Sequence, residues 1–391
     1  MSVVSAYHCH TGYILRRFQL FTRQRPLMYE DTMDFQEELQ EIIVLASLNY
    51  KHIRHMSKQG IGRKIYYTLN SGKNPKYIYY IKNVIRQAWP KAWLNLDKEL
   101  AKLEQRPDKD YIMQRVDYYC QLLADTPYDC QAWELQAVEI GQQPMTSQSV
   151  YYYDALEYSR WFDQKKRWIL KSGDVDYALD LPSIVKSRPL HEDISCNVLL
   201  NLEKVRHFLF VNDKKPFSEK KDMAIFRGKI GQQTGRKDNH VKMNRYEFAK
   251  RFYGHPLFDI GAIGHQFPEW HSEKLTIGEH LDYKFIMSLE GNDVASNLKW
   301  VMSSNSIAVT PPLTCETWFM EGTLKPDYHY IEIKPDFSDI EEKLQYYIAH
   351  PNEAQRIIDH AHEYIDQFRD QQRERLISLL VLQRYFDLTN K

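Results

Sequence analysis

The stretch YKFIMSLEGNDVASNLKWVMSSNSIAVTPPL, residues 283–313, decides the fold of this chain. Its first apolar run, 285–289, is short and gives way to a polar turn that ends at residue 293. Apolar residues then recur at helical spacing over 298–302, and a second short apolar run, 306–310, stops at two prolines. This order predicts a strand, a turn, a helix and a strand, which is the right-handed crossover of a parallel sheet. Because ligands of such sheets bind where the strands end, we expect the turn to lie beside a bound molecule.

The rest of the chain divides around this unit. From residue 206 to residue 345, short apolar runs alternate with helical patterns, which is typical of a doubly wound α/β domain that binds a nucleotide. Residues 61–205 have long helical stripes and predict a separate domain. The tail, 346–391, is almost wholly helical, and we expect it to pack back across the domains. Residues 1–60 predict a helical extension.

Charge and cysteine content exclude several classes of protein. The 391 residues include 52 Lys or Arg and 52 Asp or Glu, so the formal net charge is zero and a generic nucleic-acid coat is disfavoured. The five cysteines lack C-x-x-C spacing, which indicates free thiols of a reducing compartment and no zinc site or disulfide framework. No leader pattern opens the sequence and no apolar run approaches a membrane span. We therefore expect a cytoplasmic protein.

Residues 51–92 contain ten basic side chains interleaved with aromatic ones and no acidic side chain. One interpretation is a peripheral docking face for the anionic inner surface of a membrane, where each cation near the lipid contributes about 1 kcal/mol. The other is a solvated pair of basic helices whose aromatic side chains belong to the core. No nucleic-acid-binding module accompanies the stretch, so we expect no nucleic-acid partner.

A glycine-rich segment, 227–237, follows a predicted strand at 223–226. Its glycines let the backbone approach a ligand closely, and Arg227, Lys229 and Arg236 supply positive charge, so the segment has the parts that bind a diphosphate. The spacing matches neither the P-loop nor G-x-G-x-x-G. A basic surface loop therefore remains the alternative.

The Asp174-Val175-Asp176 tripeptide offers two kinds of chemistry. Two carboxylates after a strand can hold a divalent cation against a sugar nucleotide, or Asp174 alone can act as a general base toward an acceptor hydroxyl. Asp side chains that cap a turn are the structural alternative. Downstream, Lys186 and Arg188 are placed either to keep the carboxylate ionised or to contact an acceptor or phosphate group. Glu290, at a predicted strand end, suits the hydroxyl groups of a ribose.

Six short motifs occur in order along the second half of the chain. They are Ile225-Phe226-Arg227-Gly228, Tyr283-Lys284-Phe285, SLEGNDVA at residues 288–295, Leu298-Lys299-Trp300, Ser304-Asn305-Ser306 and Tyr328-His329-Tyr330-Ile331. Together they resemble the family-90 glycosyltransferases, which take in fungal capsule xylosyltransferases, animal protein O-glucosyltransferases and bacterial lipopolysaccharide-modifying enzymes. The resemblance covers about residues 63–388 and is closest to the bacterial branch.

The resemblance implies a GT-B fold, in which two Rossmann-like domains face a cleft. Residues 61–205 would then form the acceptor-side domain, and residues 206–345 the domain that holds a nucleotide sugar. It implies a UDP-sugar as the donor, inversion at the anomeric carbon, no required metal ion or other cofactor, and an acceptor hydroxyl on a lipopolysaccharide, lipooligosaccharide or other surface glycan. By position, the catalytic Asp of the family falls on Asp174. The expected nucleotide-sugar contacts are Arg227, Gly228, Arg236, Tyr283, Lys284, Glu290, Gly291, Asn292, Asp293, Val294, Ala295 and Lys299.

One departure from the family pattern concerns phosphate binding. Many relatives carry Ser and Arg where this chain has Ala295 and Asn297, and that arginine contacts the diphosphate. We expect Lys299 or Arg236 to compensate. Two rival functions remain open: a metal-dependent transferase that uses both carboxylates of the D-x-D tripeptide, and a non-catalytic scaffold of surface-polysaccharide assembly.

Overall fold

Short strands and helices alternate through the second half of the chain. The computed structural model describes residues 63, 66–67, 70–74, 76–88, 90–146, 148–230, 244–264 and 266–390. Within these ranges the strands are β1 (Val138–Glu139), β2 (Arg167–Trp168), β3 (Ser183–Val185), β4 (Ser187–Pro189), β5 (Asn197–Leu199), β6 (Lys221–Gly228), β7 (Phe258–Ala262), β8 (Tyr283–Met287), β9 (Ile307–Thr310), β10 (Cys315–Thr317) and β11 (Ile331–Glu332). The α-helices of the same part of the chain are α1 (Lys76–Ala88), α2 (Leu96–Leu100), α3 (Lys109–Tyr119), α4 (Cys130–Gln136), α5 (Ser149–Ser159), α6 (Lys204–His207), α7 (Asn244–Phe252), α8 (Ile277–His280), α9 (Leu298–Met302), α10 (Ile340–Ala349), α11 (Pro351–Asp366) and α12 (Gln371–Thr389).

The main sheet contains β7, β6, β8, β9 and β11 in that spatial order, and every neighbouring pair is parallel. In chain order this is 2-1-3-4-5, the order of flavodoxin-like doubly wound folds. The prediction of an α/β fold is therefore confirmed. The order reverses between β6 and β8, so the ligand crevice is expected outside the carboxyl ends of these two strands.

Strands β8 and β9 lie inside the sheet because their residues suit burial on both faces. All five residues of β8 and all four of β9 are buried, and near-continuous apolar strands are typical of parallel sheets covered by helices. Helix α9, between them, buries its whole length. The strand, turn, helix and strand predicted for 283–313 are thus confirmed, with β8 two residues nearer the N-terminus than the apolar run.

Helices cover both faces of the sheet. On one face, Phe248 of α7 packs against Phe226 of β6, their ring centroids 5.9 Å apart. On the other face, Ile225 shares a core with Leu298 of α9 and Leu382 of α12. Successive residues of a strand point to opposite faces, which is why Ile225 and Phe226 belong to different cores.

The elements that precede β6 contact both the segment after β9 and the last helix. Strand β4 pairs antiparallel with β10, while β1 pairs with β2 and β3 pairs in parallel with β5. The last helix, α12, packs against α3 through a buried ion pair between Arg115 and Glu374. Farther along α12, the Tyr385 hydroxyl donates to the carbonyl of Pro182 at 3.0 Å.

The chain divides into two compact units, residues 1–71 and 72–391. The predicted domain border at residues 205 and 206 falls inside the second unit. The predicted extension, 1–60, lies outside the described residues, as do residues 51–62 of the basic stretch. No described helix combines the length and the apolar composition that a bilayer crossing requires.

Candidate functional site

Two loops leave the sheet where its strand order reverses. The first follows β6 and is described up to Ile230, and the second follows β8 and holds the predicted contacts at 290–295. Four of the six residues in the second loop are buried. The amide of Gly291 donates to the carbonyl of Asp293 at 3.0 Å, and Asn292 is exposed. The loop is therefore a tight turn that leaves Asn292 exposed at the carboxyl end of β8.

Arg245 joins the two loops, and sequence reasoning missed it. It lies in the first turn of α7. Its guanidinium donates to the carbonyl of Leu289 at 2.8 Å and to that of Lys229 at 3.3 Å. A Cβ at Gly291 would lie 3.0 Å from the Nη2 atom of Arg245, so the glycine leaves room for this approach. The signal in the sequence was a basic residue at the start of the helix that follows β6, the first strand of the main sheet.

Asp174 lies against the exposed end of the second loop. Its Oδ2 atom accepts a hydrogen bond from the Asn292 side chain at 3.0 Å, and its Oδ1 atom accepts one from Lys186 at 2.5 Å. The Asp174 side chain is 27% exposed, so an acceptor hydroxyl can reach it. The structure thus brings the predicted base to the predicted ligand loop, although residues 174 and 292 are 118 positions apart.

Lys186 is buried with three carboxylates around its ammonium group. Besides Asp174, the Nζ atom lies 2.7 Å from Asp293 Oδ2 and 3.5 Å from Glu203 Oε2. Burial by itself lowers the pKa of Lys186, but Asp293 and its other anionic neighbours outweigh burial and hold that pKa above its ordinary value. Of the two roles expected for Lys186, its 1% exposure favours keeping the carboxylate ionised over touching a substrate.

The ionisation of Asp174 suits a general base. Burial alone raises the pKa of Asp174, but the ammonium of Lys186 and the amide of Asn292 outweigh burial and hold that pKa below its ordinary value. The carboxylate is therefore ionised at neutral pH, as a base must be before it takes a proton. Because a low pKa also weakens a base, its effectiveness depends on placement.

The backbone of the D-x-D tripeptide is fixed to the neighbouring strand. The amide of Val175 donates to the hydroxyl of Ser187 at 3.0 Å, and the Val175 side chain is buried. Within the described ranges, no three His, Cys, Asp or Glu side chains are grouped as metal ligands would be. The tripeptide thus places Asp174 next to the strand junction that carries Lys186.

Glu290 is buried at the start of the second loop. Its carboxylate accepts hydrogen bonds from the amide and hydroxyl of Thr314, at 3.1 and 2.6 Å, and from the amide of Cys315 at 3.4 Å. Burial raises the pKa of Glu290 to about 7, although these hydrogen bonds oppose the shift. The geometry shows an anchoring role, in which Glu290 ties the loop after β9 to the loop after β8. Its contact with a ribose stays a prediction.

The ammonium of Lys299 is buried and paired with a carboxylate. Its side chain is fully buried, with Nζ 2.5 Å from Glu321 and 3.4 Å from Nδ1 of His207. Because an ammonium only donates, Nδ1 of His207 accepts and the proton is on Nε2. Burial and the charge of Lys299 hold the pKa of His207 down to about 4. The charge of Lys299 is thus paired inside the core, and its expected phosphate contact stays a prediction. Asn297 donates to the carbonyl of Met287 at 3.0 Å.

Arg227 belongs to a different cluster from Asp174. Its guanidinium lies 2.5 Å from Asp259 of β7, and the Tyr283 hydroxyl donates to the other oxygen of that carboxylate. The described contacts of Arg227 and Asp174 share no residue. Gly228 lies at the carboxyl end of β6, where the predicted diphosphate segment begins.

Two predicted contacts lie at the amino end of a strand, and one is outside the described residues. Tyr283 and Lys284 open β8, and Asp222 accepts a hydrogen bond from the Lys284 ammonium. The amino ends of parallel strands face away from the crevice, so the geometry does not bring these two residues to the ligand loops. Arg236 falls in 231–243, which the structure does not describe.

Arg188 is a structural residue. Its side chain is 0% exposed, and it donates to Glu316 at 2.8 Å and to the carbonyl of Tyr118 at 2.7 Å. A third contact reaches the carbonyl of Asn197 at 3.3 Å. These contacts hold β4 against β10, and the expected contact of Arg188 with an acceptor sugar or phosphate stays a prediction.

Comparison with known proteins gives these features a family context. The profile of the family described as Glycosyl transferase family 90 matches residues 199–389. The curated O-glucosyltransferase LpsA of Dichelobacter nodosus is 36% identical over 319 residues, which span 80% of this chain and 96% of that protein. Protein O-glucosyltransferase 1 of Rattus norvegicus is 26% identical over 162 residues, 38% of this chain and 38% of that protein.

Proposed function

The chain belongs to glycosyltransferase family 90 and is a glycosyltransferase, and from that premise we propose that it transfers glucose from UDP-glucose to a hydroxyl of a lipopolysaccharide or another surface glycan. Both relatives are named as O-glucosyltransferases, which supports glucose as the sugar. The observation that carries the proposal is the 3.0 Å hydrogen bond between Asp174 and Asn292. It puts an ionised carboxylate at the edge of the crevice where a parallel sheet binds its nucleotide.

The proposed reaction is a single displacement with inversion. Asp174 takes the proton of the acceptor hydroxyl, and the acceptor oxygen bonds to the anomeric carbon from the face opposite the nucleotide. The bond between that carbon and the phosphate oxygen breaks, and the nucleoside diphosphate leaves with the electron pair. A positioned base typically contributes about 10²- to 10⁴-fold to such a step.

The departing diphosphate gains negative charge, which preorganised donors stabilise. We assign this role first to Arg245, because its guanidinium bridges the loops after β6 and β8. Arg236, in the segment between those elements, remains the second predicted cation. In the GT-B arrangement that we propose, the main sheet forms the nucleotide lobe and residues 72–205 form the acceptor lobe.

Replacing the base is the direct test. We expect Asp174→Asn to lower glucosyl transfer by at least about 100-fold, since the amide cannot take the proton. Binding of UDP-glucose, followed by calorimetry, should change little because the carboxylate lies on the acceptor side. Asp176→Asn is the matched control and should transfer at a rate close to that of the wild type. Near-normal transfer by Asp174→Asn would remove that residue from the role.

The proposal includes no divalent metal or other cofactor. Transfer measured with and without excess chelator separates it from the metal-dependent alternative, in which both Asp174→Asn and Asp176→Asn abolish activity. Loss of transfer on chelation, restored by added Mn²⁺ or Mg²⁺, would favour that alternative. Calorimetry that detects no binding of any nucleotide sugar would instead favour a scaffold.

A peripheral membrane contact through the basic stretch would place the enzyme near a glycolipid acceptor. On α1, Ile78 and Ile85 are 41% and 39% exposed and lie on one face with exposed Lys82, and Trp93 beyond the helix is 68% exposed. A stripe of apolar and basic residues suits the surface of an anionic bilayer. We expect flotation with phosphatidylcholine vesicles only when they contain phosphatidylglycerol, and weaker flotation of Ile78→Ser/Ile85→Ser. Equal recovery with both vesicles would contradict the contact.

A further inference from the structure

One buried ammonium sits behind the proposed base. The Nζ atom of Lys186 lies 2.5 Å from Asp174, 2.7 Å from Asp293 and 3.5 Å from Glu203. The Lys186 side chain is 1% exposed, whereas that of Asp174 is 27% exposed. The ammonium is therefore on the inner side of the Asp174 carboxylate, and the exposed part of the carboxylate is left for a substrate.

The two oxygens of Asp174 are held by side chains from two different parts of the fold. Oδ1 accepts from Lys186, which lies between β3 and β4, and Oδ2 accepts from Asn292, in the loop after β8. Lys186 also pairs with Asp293, the neighbour of Asn292. One ammonium thus links the base to the loop that borders the nucleotide crevice.

Glu203, one of the carboxylates beside Lys186, has a strained backbone conformation. Glu203 has a φ of 56°, a left-handed conformation that is uncommon outside glycine and persists only where the fold imposes it. Its carboxylate also accepts from Arg206 at 2.7 Å, which offsets part of the excess negative charge. Strained residues cluster at functional sites, and this one contacts the lysine that contacts the base.

We propose that Lys186 is a positioning residue for glycosyl transfer: it holds the Asp174 carboxylate ionised and in one orientation, and it couples that orientation to the loop of Asn292 and Asp293. The inference rests on the proposed function, because it assigns Lys186 a part in the same reaction. Lys186 touches no reacting atom and acts through Asp174. A base held within a fraction of an ångström of its productive place needs such support from its neighbours.

Removing the ammonium should change how Asp174 titrates. Apart from Asp174 and Lys186 themselves, the titratable groups at this place are Glu203, Asp293, Tyr151 and His207. Without Lys186, burial and the carboxylates that remain all favour the protonated form of Asp174. The pH below which transfer is lost should therefore rise.

The test is the pH dependence of kcat for glucosyl transfer by the wild type, Lys186→Gln and Lys186→Arg. In Lys186→Gln we expect the acid limb to move above about 4, the ordinary range of an aspartate. We expect its kcat at neutral pH to fall roughly 10- to 100-fold because the base loses its fixed orientation, with little change in KM for UDP-glucose. Lys186→Arg keeps the charge and should keep the wild-type limb.

Two results would overturn the inference: a Lys186→Gln enzyme with wild-type kcat and acid limb, or a Lys186→Arg limb displaced as far as that of Lys186→Gln. Should the three carboxylates left without the ammonium unfold Lys186→Gln, the double variant Lys186→Gln/Glu203→Gln is measured against Glu203→Gln. Failure of the proposed function is recognised separately, since Asp174→Asn would then retain transfer. The causes that shift the pKa of Glu290 are burial, Thr314, Cys315 and Glu321, so we expect its effect to cancel in the comparison.

Discussion

The carboxyl group of Glu290 illustrates how burial changes the chemistry of a single residue. Its pKa is raised to about 7 by burial, against an ordinary value near 4.3 in an unfolded chain. Between these two values the folded protein binds a proton that the unfolded chain does not, so stability falls as the pH rises through this window. The contribution is fully present below the unfolded pKa and is lost above the folded one.

Glu290→Gln should therefore reduce the dependence of stability on pH. We expect the wild type to lose roughly 1 kcal/mol more of its unfolding free energy than the variant between about pH 6 and about pH 8. The Gln carbonyl can still accept from Thr314, so the anchoring contact survives in part. Urea unfolding of both proteins at the two pH values measures the difference. Parallel losses would show that Glu290 does not titrate in this range.

Gly261 of β7 leaves room for the side chains of Ser272 and Arg227. Gly261 pairs with Arg227 across β6 and β7, and a Cβ at this position would overlap the side chain of Ser272 and lie 2.9 Å from Cδ of Arg227. Ser272 is held there because its amide donates to the carbonyl of Ala262 at 3.0 Å. The close packing of this edge strand thus depends on the missing side chain.

Gly261→Ala should destabilise the protein by about 1–3 kcal/mol, the usual cost of overpacking. Gly278→Ala in α8 is the matched control, because the nearest atom to its added Cβ is Thr276 Oγ1, at 3.9 Å. In a helix this change stabilises by about 0.5–1 kcal/mol. Chemical denaturation of both variants tests the contrast, and equal stabilities would mean that the segment around Ser272 yields without cost.

The last helix of the second unit, α12, packs against elements that lie far from it in the sequence. The carboxylate of Glu374, in α12, accepts a hydrogen bond from Arg115 of α3, with Nη2 and Oε2 3.0 Å apart. It also accepts one from the indole of Trp318 at 2.6 Å. Tyr119 stacks on Trp318 with ring centroids 3.8 Å apart. One buried carboxylate therefore connects the N-terminal helices, the segment after β10 and the C-terminus.

Removing that carboxylate should weaken the unit as a whole. We expect Glu374→Ala to cost about 3–5 kcal/mol because Arg115 is left buried without its ion pair. The double variant Arg115→Met/Glu374→Leu replaces both charges with apolar groups and should be more stable than the single variant. Thermal unfolding of the two proteins decides the order. A double variant less stable than the single one would show that Arg115 stabilises the unit through contacts other than its ion pair, such as its 2.6 Å hydrogen bond to the Tyr119 hydroxyl.

Local sequence determined the elements of the main sheet and the order of its motifs. Residues 283–313 predicted β8, the turn, α9 and β9, since strand and helix periods are properties of neighbouring residues. The same patterns indicated the α/β class and the resemblance to family 90. They also marked Asp174, as one carboxylate of a D-x-D tripeptide whose role stayed open.

Only the tertiary structure decided which charges belong together. Lys299 and Arg245 are both basic residues in the first turn of a helix. Yet Lys299 is buried beside Glu321, whereas Arg245 bridges the loops after β6 and β8. Asp174 meets Asn292 across 118 positions of chain because β-strand and helix packing brings the two loops together. Burial and distance set the pKa and the partners of a side chain, and neither quantity is written in its local sequence.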